Sequence, residues 1–183
     1  MLYNDARQLI KNGDILACTG NELFSKAIKF FTKSKYSHVG IAFWLKTIEG
    51  FDYRLFILEA VDGAGVRIYP LSEALNEYGS GNIDLYKLKN LDGNLVLSYA
   101  LDKIGKDYVT FWQLFLIVSK ITKYIRRLWD KDDETKENKY HCSKLVFNSL
   151  IHAGYKYDKL SILINPNDII KFTCFEDPIK LKI

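Results

Sequence analysis

Tyr140-His141-Cys142-Ser143-Lys144-Leu145-Val146-Phe147-Asn148-Ser149-Leu150-Ile151-His152-Ala153-Gly154 is the stretch on which the reading of this chain turns. Leu145, Val146, Ser149, Leu150 and Ala153 recur at helical spacing and Gly154 closes the run, so the spacing predicts a buried helix with a glycine stop. Cys142 falls on its first turn. Unpaired backbone N–H groups and the positive end of the helix dipole point at that turn and favour a thiolate. A cysteine there is either a small packing residue or a nucleophile. The choice depends on whether the chain also supplies a base and a group to orient it.

The composition bounds the answer. A chain of 183 residues, 48% hydrophobic and 14% aromatic, has the size and apolar content of one globular domain. Its three prolines, the lack of a Gly/Ser linker and the lack of a repeat mark no boundary, so one domain over residues 1–183 is expected. The N-terminus has no basic region followed by an apolar stretch, and no apolar run has the length of a membrane span. A soluble, cytoplasmic protein is the expectation. Three cysteines at wide spacing argue for free thiols. A balance of 26 basic against 22 acidic residues, a formal +4, predicts no nucleic-acid partner.

Along the chain, residues 1–12 read as a short helix ended by Gly13, Ile15–Cys18 as a buried strand and Glu22–Lys33 as an amphipathic helix. From His38 to Leu45 the period becomes two: Val39, Ile41 and Phe43 share one face; His38, Gly40, Ala42 and Trp44 share the other. Residues 54–61, 66–69 and 83–88 read as further strands, with a helix from Ser72, its cap, to Tyr78. Leu95–Ile104 is a helix stopping at Gly105. Phe111–Trp129 carries an apolar stripe opposite Lys120, Lys123, Arg126 and Arg127, a helix suited to packing on the core or to lying on an anionic membrane. Residues 130–139 read as a charged loop, 160–164 as a strand, and Asn165–Asp168 as a turn into a helix at Ile169–Phe172.

Thiol chemistry near neutral pH needs an imidazole, and the chain has three. His141 precedes Cys142, and neighbouring helical residues point about 100° apart. His152 lies ten positions along, roughly 15 Å away at the helical rise. His38 remains, with small same-face neighbours, Gly40 and Ala42, that would let a helix approach. If residues 38–45 and 54–61 pair as an antiparallel hairpin, the start of the first meets the end of the second and His38 comes near Glu59. Glu59 stands in an otherwise apolar strand, where a buried carboxylate needs a partner, and His38 is the best available. The other reading of Glu59 is a solvent-facing residue on a one-sided sheet. No Cys-x-x-Cys or His-x-x-x-His pair suggests a metal site, and the glycines form no phosphate loop.

Taken in order, Gly13-Asp14-Ile15-Leu16, Ser37-His38-Val39-Gly40-Ile41, Ile57-Leu58-Glu59-Ala60, Ile104-Gly105-Lys106-Asp107-Tyr108, His141-Cys142-Ser143-Lys144-Leu145-Val146 and Asn165-Pro166-Asn167-Asp168-Ile169 carry a resemblance. They resemble the permuted papain-fold cysteine hydrolases, more narrowly the YiiX-like branch of the NlpC superfamily, relatives of the lecithin:retinol acyltransferase-like proteins. The resemblance implies an α+β papain-like fold, circularly permuted, with an antiparallel sheet or small barrel against the cysteine helix. It implies Cys142 as nucleophile, His38 as base, Glu59 as its orienter, and Tyr108 with the Cys142 N–H as the oxyanion site. Two departures stand out. A basic-aromatic helical insertion occupies about residues 109–139, and Lys144, a cation one turn from the thiol, stands where relatives carry an acidic or small residue.

The expected activity is hydrolysis of an amide, isopeptide or ester bond through an acyl-thioester on Cys142, with no cofactor and no metal. The partner would be a peptide or an acyl-amide or ester substrate, with peripheral lipid contact through Phe111–Trp129. The rival readings are a lipid acyltransferase or thioesterase with the same triad and a non-catalytic binding module of papain-like shape.

Overall fold

A computed structural model describes residues 1–21, 23–45, 53–109, 139–157 and 164–183. The chain opens with helix α1 (Tyr3–Ala6) and a 3-10 turn (Arg7–Leu9), then strand β1 (Ile15–Cys18) and helix α2 (Leu23–Thr32). Strands β2 (His38–Leu45), β3 (Arg54–Val61) and β4 (Gly65–Pro70) come next, then α3 (Leu71–Tyr78), β5 (Ile83–Tyr86) and α4 (Gly93–Leu101). Short strands β6 (Asp107–Tyr108) and β7 (Lys139–Tyr140) precede α5 (Cys142–His152), α6 (Pro166–Ile169) and β8 (Ile179–Leu181).

Six strands form one antiparallel sheet in the order β4-β3-β2-β1-β5-β8. Alternation then sorts the core onto two faces. Ile15, Ala17, Val39, Ile41, Phe43, Leu58 and Ala60 pack with Leu145, Val146 and Leu150 of α5 and Val96 and Ala100 of α4. Leu16, Cys18, Ala42, Ile57, Ile83 and Leu85 pack with Leu71, Ala74 and Leu75 of α3 and with Ala6 of α1. Burial of side chains such as Leu145 and Leu150, both 0% exposed, stabilises by about 1.5–3 kcal/mol each. This is the α+β sheet-and-helix architecture expected, with helices on both faces.

Several local readings shift. Helix α3 begins at Leu71, so Ser72 lies inside it and Pro70 holds the N-cap position without a side-chain bond. Proline tolerates a helix start because its missing N–H has no partner to lose there. Helix α4 starts at Gly93, where Asp92 accepts the Asn94 N–H, and gives way to turns before Gly105. The expected turn at Asn165–Asp168 is instead the first turn of α6. Asn165 accepts the Asn167 and Asp168 N–H groups, and Asp168 accepts that of Asn165 in return, a capping box. Phe111–Trp129, and the loop and strand expected at 130–138 and 160–163, lie outside the described residues.

A tie between β4 and the segment leading into β6 sets where Tyr108 lies. The Val66 N–H donates to the Lys106 carbonyl and the Gly105 N–H to that of Val66, both at 2.9 Å. Strand β6 then pairs in parallel with β7, Tyr108 opposite Tyr140, two residues before Cys142. Gly65 permits this approach: its φ is +69°, and a Cβ there would strike the Lys106 carbonyl. Gly63, with φ +76°, has open space around it. Gly63→Ala should cost about 1–2 kcal/mol for the left-handed backbone alone. Gly65→Ala should cost about 3 kcal/mol or more, because the carbonyl must also move. Urea unfolding of both variants checks this; equal losses would mean that the β4–β6 contact is slack.

Candidate active site

The hairpin of β2 and β3 builds the first half of the site. Its register sets Ala42 opposite Ile57, so residues at even steps from these share their face, and both His38 and Glu59 do. Gly40 stands between them in the pattern, and the Ile57 side chain fills the space where its Cβ would be. Glu59 is 2% exposed, and its Oε2 lies 2.8 Å from His38 Nε2. The Tyr78 ring of α3 stacks on the imidazole, 6.4 Å between centroids at 19°. The small face of β2 therefore opens toward α3 and Ile57, not toward the cysteine helix as the sequence suggested. Helix α5 packs on the opposite face, and His38 reaches it because it is the first residue of its strand.

Glu59 has a second partner that the sequence reading missed. Arg67 Nε donates to Glu59 Oε1 at 3.0 Å, and Arg67 Nη2 approaches the same oxygen at 2.8 Å. The signal was present, since a tight turn through Gly63 and Gly65 pairs Glu59 with Arg67 across β3 and β4. Two cations thus face one buried carboxylate. Burial works to raise the Glu59 pKa, yet the bonds and charges of His38 and Arg67 bring it below its ordinary value.

Helix α5 brings the cysteine. Cys142 is its first residue, 6% exposed, and holds an N–H group with no partner inside the helix. His38 lies close enough to the Cys142 thiol for the charge of each to shift the ionisation of the other. Since Nε2 of His38 is turned to Glu59, Nδ1 is the ring nitrogen left for sulfur. His141 also lies near enough to the thiol to favour its ionisation, whereas the sequence reading has it pointing away. That expectation assumed two helical neighbours, but His141 is the N-cap residue, with extended φ −105° and ψ 164°. Its Nδ1 accepts the Lys144 N–H at 3.3 Å. His152, near the far end of α5, lies against the Tyr99 ring. The Lys144 ammonium donates to the Lys139 carbonyl at 2.9 Å and sits over the Tyr140 ring. Tyr108, carried in by β6, is half-buried and close enough to Cys142 for its hydroxyl to feel the thiolate charge. Burial first and that charge second push the Tyr108 pKa far up, so the hydroxyl stays a donor.

Two cavities flank this group. One, of about 490 Å³, is lined by His38, Glu59, Arg67, Tyr69, Glu77 and Tyr78 among others. The other, of about 430 Å³, is lined by Tyr108, Asp62, Lys106 and Lys139 among others. His38 opens onto the first and Tyr108 onto the second, while Cys142 lines neither.

Charge is shared between sulfur and imidazole. Burial opposes the thiolate, but the charge of His38 and the nearby imidazoles of His141 and His38 outweigh it and hold the Cys142 pKa well below 9.0. Burial likewise opposes the His38 cation, yet the thiolate and Glu59 push its pKa up to about 10. Burial lifts the other two thiols, Cys174 to about 11. From the ordinary values of 6.5 and 9.0, the unfolded pair binds two protons below the first, one between them and none above. Folded, it holds a single proton from the depressed thiol pKa up to about 10. The raised His38 pKa contributes stability that is lost as pH rises toward 10, and the depressed Cys142 pKa contributes stability that is lost as pH falls. Their sum rises below pH 6.5, is level from 6.5 to 9.0 and falls above that. Unfolding free energies of wild type minus His38→Ala/Cys142→Ala should trace this plateau; a slope between those two values would mean that the folded pair does not hold a single proton over that range.

Known proteins resemble this chain in sequence and in fold. Residues 9–115 match the family described as permuted papain-like amidase enzymes, YaeF/YiiX, C92 family. That match includes His38, Glu59 and Tyr108, while Cys142 lies beyond it. The crystal structure of metalloprotein yiiX from Escherichia coli O157:H7 is similar in fold, with a TM-score of 0.54 over 93% of this chain and 88% of that one at 19% identity. No curated protein matches the sequence. With more than half of its length matched and its sheet and helices arranged alike, the chain belongs to the C92 family of permuted papain-like amidases.

Proposed function

We propose that this protein hydrolyses an amide, isopeptide or ester bond through an acyl-thioester on Cys142. The observation that carries the proposal is the row Arg67–Glu59–His38 built on the buried Glu59 carboxylate, with the Cys142 thiol close to the imidazole at its end. The Cys142 thiolate attacks the carbonyl carbon and forms a C–S bond, and the carbonyl electrons move onto oxygen. Tyr108 and the Cys142 N–H donate to that oxygen. As the oxyanion collapses, the bond to the leaving amine or alcohol breaks and the His38 imidazolium protonates it. Neutral His38 then takes a proton from water, hydroxide attacks the thioester, and the acid departs as the thiolate re-forms with His38 protonated. Glu59, itself held by Arg67, orients His38 and stabilises its charged form.

The acyltransferase reading drew on Phe111–Trp129, which lies outside the described residues. The similar Escherichia coli protein is titled a metalloprotein. Among the described residues of this chain no group of three His, Cys, Asp or Glu side chains could hold a metal ion, and no step of the proposed reaction runs through one.

Incubation with activated esters or peptide amides and then intact-mass measurement should reveal a thioester on wild type and none on Cys142→Ser. Glu59→Gln should stay folded, keep an acceptor for His38 and lose turnover by about 100-fold or more, since the imidazolium loses its counter-charge. A Cys142→Ser protein that still turns over, or a fully active Glu59→Gln, would refute the mechanism.

A further inference from the structure

Helix α2 connects β1 to β2 and leads into His38, and the sequence around it carries charge of one sign. Between Glu22 and Glu49 the chain has five lysines, Lys26, Lys29, Lys33, Lys35 and Lys46, and no acidic residue. At helical spacing Lys26, Lys29, Phe30 and Lys33 fall on one stripe. Lys26, Phe30 and Lys33 are exposed, Phe30 by 78%. An exposed phenylalanine alone would mean little. One ringed by lysines on an amphipathic helix is the pattern of a helix lying in the interface of an anionic bilayer. We infer that the outer face of α2 is a contact surface for an anionic lipid membrane. The inference does not depend on the hydrolase reading.

The charge of this face is not spent inside the protein. Lys35 Nζ is paired with the buried Asp84, and Lys29 Nζ donates to the Gly20 carbonyl at 2.7 Å. Lys26 and Lys33 have no ion-pair partner among the described residues. Glu77, an acid that shares a cavity with Ser25 of α2, accepts the Tyr69 hydroxyl.

Lys33 is a second observation. Helix α2 ends in a Schellman motif, in which the Ser34 N–H donates to the Lys29 carbonyl at 3.1 Å and the Lys33 N–H to that of Phe30 at 3.4 Å. The residue after the helix must then be left-handed, and Lys33 has φ +51°. Glycine suits that position best. A lysine kept there at a cost in backbone energy points to a use for its charge.

The chemistry of the stripe favours lipid over other anions. It has no arginine, asparagine or glutamine to read a base edge, and it offers one ring on a convex helix where a single strand needs a groove with a series of rings. A lysine stem can lie along acyl chains while its ammonium rises to the phosphates, so Phe30 can enter the interface between the cations. Ser25, with Gly20 and Asn21, lines the cavity that His38 and Glu59 also line. Docking through α2 therefore sets that cavity beside the headgroups.

Flotation of the full chain with phosphatidylcholine vesicles, with and without phosphatidylglycerol, tests this. The protein should bind the anionic vesicles and not the neutral ones, and added salt should release it. Each unit of charge lost near the surface should weaken binding about fivefold, so Lys26→Glu/Lys33→Glu should weaken it about 100-fold or more. Phe30→Ser should weaken it about tenfold or more. Lys33→Gly should hold Tm or raise it by about 2 °C and still weaken binding about fivefold, which a lysine serving only the fold would not do. Should Phe30→Ser not fold, the lysine variants decide. A wild type that binds neither vesicle, or both equally, overturns the inference. So do variants that bind as wild type does, which would move the contact elsewhere, as to Phe111–Trp129. Retention of a single-stranded oligonucleotide without vesicle binding would reassign the face to nucleic acid.

Discussion

A carboxylate 2% exposed beneath apolar strands is tolerable only if paired, and the contact of Glu59 with His38 is the interaction on which the rest of this structure depends. Removing either partner would leave the other as an uncompensated group. Arg67 shares the load from β4, so the carboxylate bridges two cations. This fixes the imidazole in orientation and in charge. An imidazolium so held is what the thiol needs, and the thiolate in turn holds the imidazolium. Charge passes along the row from an arginine near the surface to a sulfur in the interior, each member stabilised by the next.

The scaffold exists to keep that row aligned. His38 is the first residue of β2 and Glu59 lies near the end of β3, so an antiparallel register brings them together. A slip of one residue would send Glu59 to the opposite face, where α5 packs. Cys142 approaches at the margin of the sheet because it begins α5 rather than lying within it. Tyr108 arrives by a separate route, through the contacts of β4 with residues 105–106 and the pairing of β6 with β7. Four chain segments far apart in sequence therefore meet at one sulfur, and the large buried faces of the sheet leave them little freedom to drift.

Much of this was legible in the residues. The alternation of β2 and β3 placed His38 and Glu59 on one face, because a period of two survives whatever packs above it. The helix start at Cys142 was legible from its apolar spacing and its glycine stop. What failed was inference about neighbours. His141 was treated as helical, whereas a cap residue has extended backbone and directs its side chain back over the first turn. Gly40 and Ala42 looked like room for a helix, but a sheet has two faces and Ile57 took the space. Arg67 is reached only when cross-strand pairing is followed through the β3–β4 turn, which sets it opposite Glu59. Asn165–Asp168 was read as a turn because a capping box uses the same residue types as a turn. In each case the element was foreseen and its partner was not, since partners depend on tertiary contacts that local spacing does not encode.

The central claim is that His38 and Cys142 form an imidazolium–thiolate pair anchored by Glu59. The most direct measurement is the protonation state of the His38 ring by ¹⁵N NMR across the pH range, with resonances assigned through His38→Ala. The account predicts both ring nitrogens protonated through neutral pH, with deprotonation only toward pH 10. Loss of the second proton near the ordinary value of 6.5 would contradict it, for the cysteine would then be a neutral thiol beside a neutral base.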